Sequence, residues 1–230
     1  MIEIIRRQPV EIAVVDPLLG GQPRTHEIER LRVLFPSLPL LLYTTLAPET
    51  AGILLTLGRA GIRRAIFNRF DDSPGALRSA LRQELEQAPS QQVLHALAGV
   101  LHELPDRLRW ALEAAMHHSA DALTVDELAR RAQVKRRTCE RWFARSGLPS
   151  PRTVLLLTRL LYAHRLLLDP GYTVEDVTLK LGYAKAHSLR MQFKEVFGVT
   201  AAELRLSLSP DQALEMVVQR FFPLLKRAAS

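Results

Sequence analysis

Cys139 is the only cysteine in 230 residues, so the chain can close no internal disulfide and has no cysteine-rich metal knot. No apolar run approaches the roughly 18 residues that a membrane span requires. The opening MIEIIRRQPVEI lacks the apolar core and small-residue cleavage site of an export signal. No glycine-rich phosphate loop ending in lysine is present, nor any His/Asp constellation beside Cys139 that would make it a nucleophile. These absences predict a soluble, cytoplasmic protein without membrane contact, cofactor, metal or enzymatic activity.

Apolar residues make up 47% of the chain against 24% charged, which excludes disorder throughout. The formal net charge is +7, and it is unevenly placed. Residues 1–90 hold 11 basic and 10 acidic side chains, whereas residues 91–230 hold 20 and 14. An anionic partner is therefore to be sought in the second part.

Residues 1–90 alternate short apolar runs at 12–15, 40–43 and 65–67 with amphipathic stretches at 24–35, 48–60 and 73–87. Strand and helix in turn, with Pro36, Pro39, Gly58, Gly61 and Pro74 at the joins, predict a small three-stranded parallel sheet covered on both faces. From residue 91 the strand signal ends. Helices are expected near 91–103, 105–118, 125–132, 136–146, 152–168, 174–181, 186–197, 201–207 and 211–227, with Pro105, Pro151 and Pro210 in first turns. Thr124 with Glu127 reads as a capping box, and Thr173 with Asp176 as a weaker one. We divide the chain into an α/β module at 1–88, a linker helix at 89–104, an all-α domain at 105–208 and a terminal amphipathic helix at 209–230. That last helix, with Val217, Val218, Phe221, Phe222, Leu224 and Leu225, is expected to dock on the domain.

The all-α part contains a repeat. TVDELARRAQVKRRTCERWF at 124–143 matches TVEDVTLKLGYAKAHSLRMQF at 173–193, with an offset of 49 that becomes 50 in the turn. Each copy reads as helix, tight turn, helix. The segment 152–169 between them is apolar around much of its circumference, as a buried connecting helix should be. Two such units on a rigid rod suit recognition helices set about 34 Å apart, one turn of duplex DNA. The second helix of the first copy gathers Lys135, Arg136, Arg137, Arg141 and Arg145. Val134, Cys139, Trp142 and Phe143 form its apolar face, with Cys139 aligned to Leu189 and so expected in the core. Arg137 and Arg141, spaced i, i+4, would share the outward face, where arginine's preferred base is guanine. Glu140 could accept from a cytosine amine or orient Arg137.

Residues 103–207 resemble the DNA-binding domain of AraC/XylS-type transcription regulators. The resemblance rests on ALEAAMHHSADALTVDELA, RRTCERWFARSGLPSP, AHRLLLDPGYTVEDVTLKLGY and FKEVFGVTAAELR. It implies sequence-specific binding of double-stranded DNA by two helix-turn-helix units joined by a long helix. The implied base readers are Arg137, Glu140 and Arg141 in the first unit, with Ala186, His187 and Arg190 in the second. Lys135, Arg136, Lys185 and Lys194 are the implied phosphate contacts. Met191 stands where members commonly carry an arginine facing the groove, and Arg190 is rotated from that position by about 100°. Ala186 offers no hydrogen bond, so the second unit is expected to read DNA weakly.

Residues 1–90 resemble the carboxy-terminal three-fifths of a response-regulator receiver domain. VEIAVVD ends in Asp16, LPLLLYT in Thr44 and RAGIRRAIFN in Asn68, matching the phosphoacceptor, the switch threonine and the conserved lysine in order. Asn68 replaces that lysine, and the strand bearing the Mg²⁺-holding acids has no counterpart. Asp16 is thus a vestigial phosphoacceptor, ill equipped for phosphoryl transfer. The truncation would leave the first strand as an open edge, which calls for a cover. Either residues precede Met1 or the module pairs with a second copy, so a homodimer through this module is expected.

His95, His102, His117 and His118 lack ligand spacing and are expected as surface or capping residues. The reading as a whole is a DNA-binding regulator. A phospho-switched response regulator with residues missing upstream and a protein-interaction module remain open alternatives.

Overall fold

The computed structural model of the chain describes residues 1–102, 104–116 and 123–222. Its first part runs α1 (Ile2–Arg7), β1 (Ala13–Val15), α2 (Thr25–Leu34), β2 (Leu40–Thr44), α3 (Pro48–Arg59), β3 (Ala65–Phe67) and α4 (Pro74–Leu85). The strands pair in parallel in the order β1-β2-β3, with Val14 opposite Leu41 and Tyr43 opposite Ile66. Parallel neighbours need crossovers, which α2 and α3 supply. Leu40 and Leu42 bury on one face with Val15, Leu31 and Leu57, whereas Leu41 buries on the other with Ile66 and Ala80 of α4. Both sides of β2 are thus dry, which is why the strand reads as unbroken apolar sequence. Helix α1 lies outside the expected pattern: six residues are too few to show a helical period, yet Ile5 is fully buried.

The helical part runs α5 (Pro89–Leu101), α6 (Asp106–Met116), α7 (Val125–Arg131), α8 (Arg136–Arg145), α9 (Pro151–Leu167), α10 (Val174–Lys180), α11 (Ala186–Phe197), α12 (Ala201–Ser207) and α13 (Pro210–Phe221). Eleven of the 17 residues of α9 are buried, so it is the rod on which α5, α8, α10, α11, α12 and α13 pack. Each buried leucine there contributes about 1.5–3 kcal/mol. Within the span expected as a linker helix, α5 buries Val93, Leu94 and Leu97 and packs on α9. On α13, Ala213 and Val217 are buried and Arg220 donates to the Val196 carbonyl at 2.8 Å, so the helix docks as expected. His117, His118, Leu224 and Leu225 lie outside the described residues.

The caps reverse the expected ranking. At Thr173 the box is complete: its hydroxyl accepts from the Asp176 N–H at 3.1 Å and its own N–H donates to the Asp176 carboxylate at 2.9 Å. At Thr124 the hydroxyl accepts from the Glu127 N–H, but the Glu127 carboxylate holds Arg130 and Arg131, at 2.8 and 3.1 Å. Two arginines one turn along outcompete the backbone for that carboxylate, and α10 has no such pair.

The α/β part is clamped to the helical part around residues 169–180. One hydrophobic cluster runs through both, from Ile5, Leu31 and Phe35 to Leu166, Tyr172 and Leu181. Phe35 meets Tyr172 edge-on with ring centroids 4.9 Å apart. The Gly171 N–H donates to the Leu34 carbonyl at 2.7 Å, and the Arg6 guanidinium donates to the Gly171 carbonyl at 2.9 Å. Glu11 accepts from the Tyr162 hydroxyl at 3.0 Å and from the Ser90 hydroxyl.

Candidate nucleic-acid interface

Two helix pairs, α7–α8 and α10–α11, carry the repeat. Their turns share an equivalent backbone hydrogen bond: Val134 N–H bonds the Ala129 carbonyl at 2.9 Å, and Tyr183 N–H bonds the Thr178 carbonyl at 3.0 Å. Gln133 (φ 55°) and Gly182 (φ 65°) occupy the same left-handed position. Glycine adopts that region freely, whereas glutamine is strained there. Cys139 and Leu189, one offset apart, are each fully buried against the pair's interior, as the alignment requires. Burial pushes the Cys139 thiol up to about 11, which suits a packing residue.

On α8, Arg137, Glu140 and Arg141 are exposed and Cys139 and Phe143 are buried, so the helix is anchored by one face and offers the other. Neither Arg137 nor Arg141 makes a hydrogen bond or ion pair among the described residues. Glu140 makes no hydrogen bond or ion pair to Arg137; it accepts from Arg136 Nε at 2.9 Å, and Arg136 Nη1 also donates to Asp126 of α7 at 2.8 Å. These two carboxylates raise the Arg136 pKa, the Glu140 hydrogen bond most. Lys135 sits exposed at the residue before α8.

On α11, Ala186 is half-buried at the first position, and His187, Arg190, Met191 and Lys194 are exposed, with Lys185 exposed just ahead. Arg190 is paired with Glu175 of α10. Met191, at the position equivalent to Arg141, is 52% exposed, so an apolar side chain stands where the first pair presents a guanidinium. Sequence reasoning passed over Arg159 of α9, whose guanidinium lies 3.9 Å from the centre of the Tyr183 ring and bonds the Leu181 carbonyl. It ties the turn of the second pair to the central rod. The signal was faint: one arginine inside an otherwise apolar helix.

In the α/β part, Asp16 and Thr44 meet at the carboxyl ends of β1 and β2, where the Thr44 hydroxyl donates to Asp16 Oδ1 at 3.3 Å. The same oxygen accepts from the Leu18 N–H at 2.9 Å. Asn68 follows β3, its N–H bonded to the Thr44 carbonyl at 2.8 Å, so the three positions are adjacent.

No helix among the described residues is long and apolar enough to cross a membrane. Residues 128–207, from within α7 to the end of α12, match a family model described as a helix-turn-helix domain. Comparison with curated proteins and with solved structures gave no match. The carboxy-terminal part of the chain thus contains a helix-turn-helix domain, and α7 to α12 are its frame.

Proposed function

We propose that the chain is a sequence-specific, DNA-binding transcription regulator of the AraC type, with α7–α8 and α10–α11 as two helix-turn-helix units that address adjacent major grooves. The observation that carries this reading is exposed Arg137 and Arg141 on one face of α8, without an ion pair among the described residues, inside a segment matched by a helix-turn-helix family. In this reading Arg137 and Arg141 read base edges, Lys135, Lys185 and Lys194 hold phosphates, and α11 adds little direct readout through His187 and Ala186. The protein acts where the chromosome is, without an enzymatic step.

The α/β part is, in the same reading, a receiver-like remnant that joins two copies of the chain. Its support is the three parallel strands with Asp16, Thr44 and Asn68 at their carboxyl ends, together with exposed Leu46, Leu55 and Phe70. Light scattering across micromolar concentrations tests the pairing, and a monomer throughout would remove it.

Selection from a randomised duplex library at two salt concentrations tests the regulator reading. Enrichment of one motif across two adjacent major grooves is the expected result. Salt-sensitive binding without enrichment would leave only a basic domain.

A further inference from the structure

The repeat places an acid in the first turn of both α7 and α10, where it suits the helix dipole and also does something more. Asp126 is the second residue of α7 and Glu175 the second of α10, and the offset of 49 makes them equivalent. Each reaches across to an arginine of the following helix: Asp126 to Arg136 at 2.8 Å, Glu175 to Arg190. The arginines are not equivalent. Arg136 matches Ala186, and Arg190 matches Glu140, one turn further along. The recognition helices have therefore diverged at both positions while the acid-to-arginine bridge has been rebuilt from a different site.

Stability is a poor reason for this. All four side chains are more than half exposed, where solvent screening leaves an ion pair little net effect on folding. Their effect on a polyanion is larger. A guanidinium held by a carboxylate on the same surface has its charge already neutralised, and the carboxylate repels phosphate. Such a pair weakens attraction to every DNA sequence alike, while leaving contacts to base edges by neighbouring side chains intact.

We propose that Asp126 and Glu175 are specificity-determining residues: they hold Arg136 and Arg190 out of the non-specific pull on phosphate, so that Arg137 and Arg141 decide where the protein stays. Arg136 and Arg190 then act in paired form, Arg136 with Glu140 as a second carboxylate. The inference rests on the DNA-binding reading given above.

The test uses the full chain and measures affinity for random-sequence and selected duplex across a salt series. Glu175→Gln removes an acid without changing size and frees Arg190, whereas Asp126→Asn leaves Arg136 held by Glu140 and should change the slope less. Each freed arginine that finds a phosphate should steepen the salt slope by about 0.9, a gain of roughly fivefold to tenfold on random duplex at 0.1 M salt. Affinity for the selected site should rise less, so the discrimination ratio falls. Glu86→Gln, an exposed glutamate after α4, makes the same change in net charge and should alter neither. The double variant Glu175→Gln/Arg190→Gln should return to the wild-type slope, because the gain runs through Arg190. A wild type that binds duplex, with variants matching it in slope and random-duplex affinity, would overturn the selector role and leave the regulator reading standing. Wild type and variants all without duplex affinity would overturn both.

Discussion

The ammonium group of Lys180, on α10, donates to the carbonyl oxygen of Gln8 at 2.7 Å, although 172 residues separate them in the chain. It also donates to the Ile5 carbonyl at 3.1 Å, so it closes the carboxyl end of α1, where helix carbonyls lack partners and a positive charge is favoured. Burial lowers its pKa to about 8. We expect Lys180→Met to lower stability by roughly 1–3 kcal/mol, the cost of carbonyls left buried without a donor. Urea unfolding measures this, and an unchanged midpoint would mean that water reaches those carbonyls.

Asp169 sets a pH dependence. Its carboxylate accepts from the Ser37 N–H at 3.1 Å and the Ser37 hydroxyl at 2.6 Å, with Arg32 and Arg205 nearby, yet burial outweighs these and pushes its pKa up to about 6. An unfolded chain releases that proton near pH 4. The folded state therefore holds more protons between those values, and this group's contribution to stability, on the order of 2 kcal/mol, is greatest in acid and lost as pH rises from about 4 to 6. Asp169→Asn can keep both Ser37 bonds, so we expect unfolding midpoints at pH 7 no lower than wild type and a flatter profile between pH 4 and 6. A profile as steep as the wild type's would assign it to other groups.

Gly171 is a contact point and not a flexible one. A Cβ there would lie 2.7 Å from the Leu34 carbonyl oxygen and against the Phe35 ring. Gly171→Ala should push the α/β part off the helical part, lowering the unfolding midpoint and raising amide exchange in residues 34–38. Unaltered exchange there would show that the two parts give way without separating.

Gln133 should respond in the opposite sense. Relief of its left-handed strain, roughly 1–2 kcal/mol, exceeds the entropy that glycine adds to the unfolded chain, about 0.5–1 kcal/mol. Gln133→Gly is expected to stabilise the protein by up to about 1 kcal/mol in thermal or urea unfolding. A loss of stability would mean that the glutamine side chain itself holds the turn.

Arg141 and Lys135 should separate by kind of loss. Arg141→Ala is expected to cost about 1–3 kcal/mol at one base position of the selected site and little on random duplex. Lys135→Ala should weaken all duplexes about equally. Equal losses on both duplexes for Arg141→Ala would take it off the list of base readers.

What could be read from sequence was what has a local signature. The three strands were visible because each is short and almost wholly apolar, and the helix pairs because caps, periodicity and the repeat agree within twenty residues. The outward face of α8 followed from the i, i+4 spacing of Arg137 and Arg141. The clamp did not, because Lys180 stands in the repeat where Arg131 makes a bond within its own helix, to Glu127 at 3.1 Å. Nothing near Lys180 in the chain announces that its partners are Ile5 and Gln8. The bridge from Glu140 to Arg136 rather than to Arg137 was hidden for a similar reason: adjacent arginines differ by about 100° around a helix, and rotamers decide which one meets the acid.

Cys139 has a practical side. It is the sole thiol of the chain, it is fully buried, and its proton is held far above neutrality. The native protein therefore offers no reactive sulfur to a maleimide or spin label at pH 7. Cysteines introduced at exposed Arg145 on α8 and Ser188 on α11 would take dyes against a silent background. The spacing of the two helices could then be followed by energy transfer, with no native thiol to remove first.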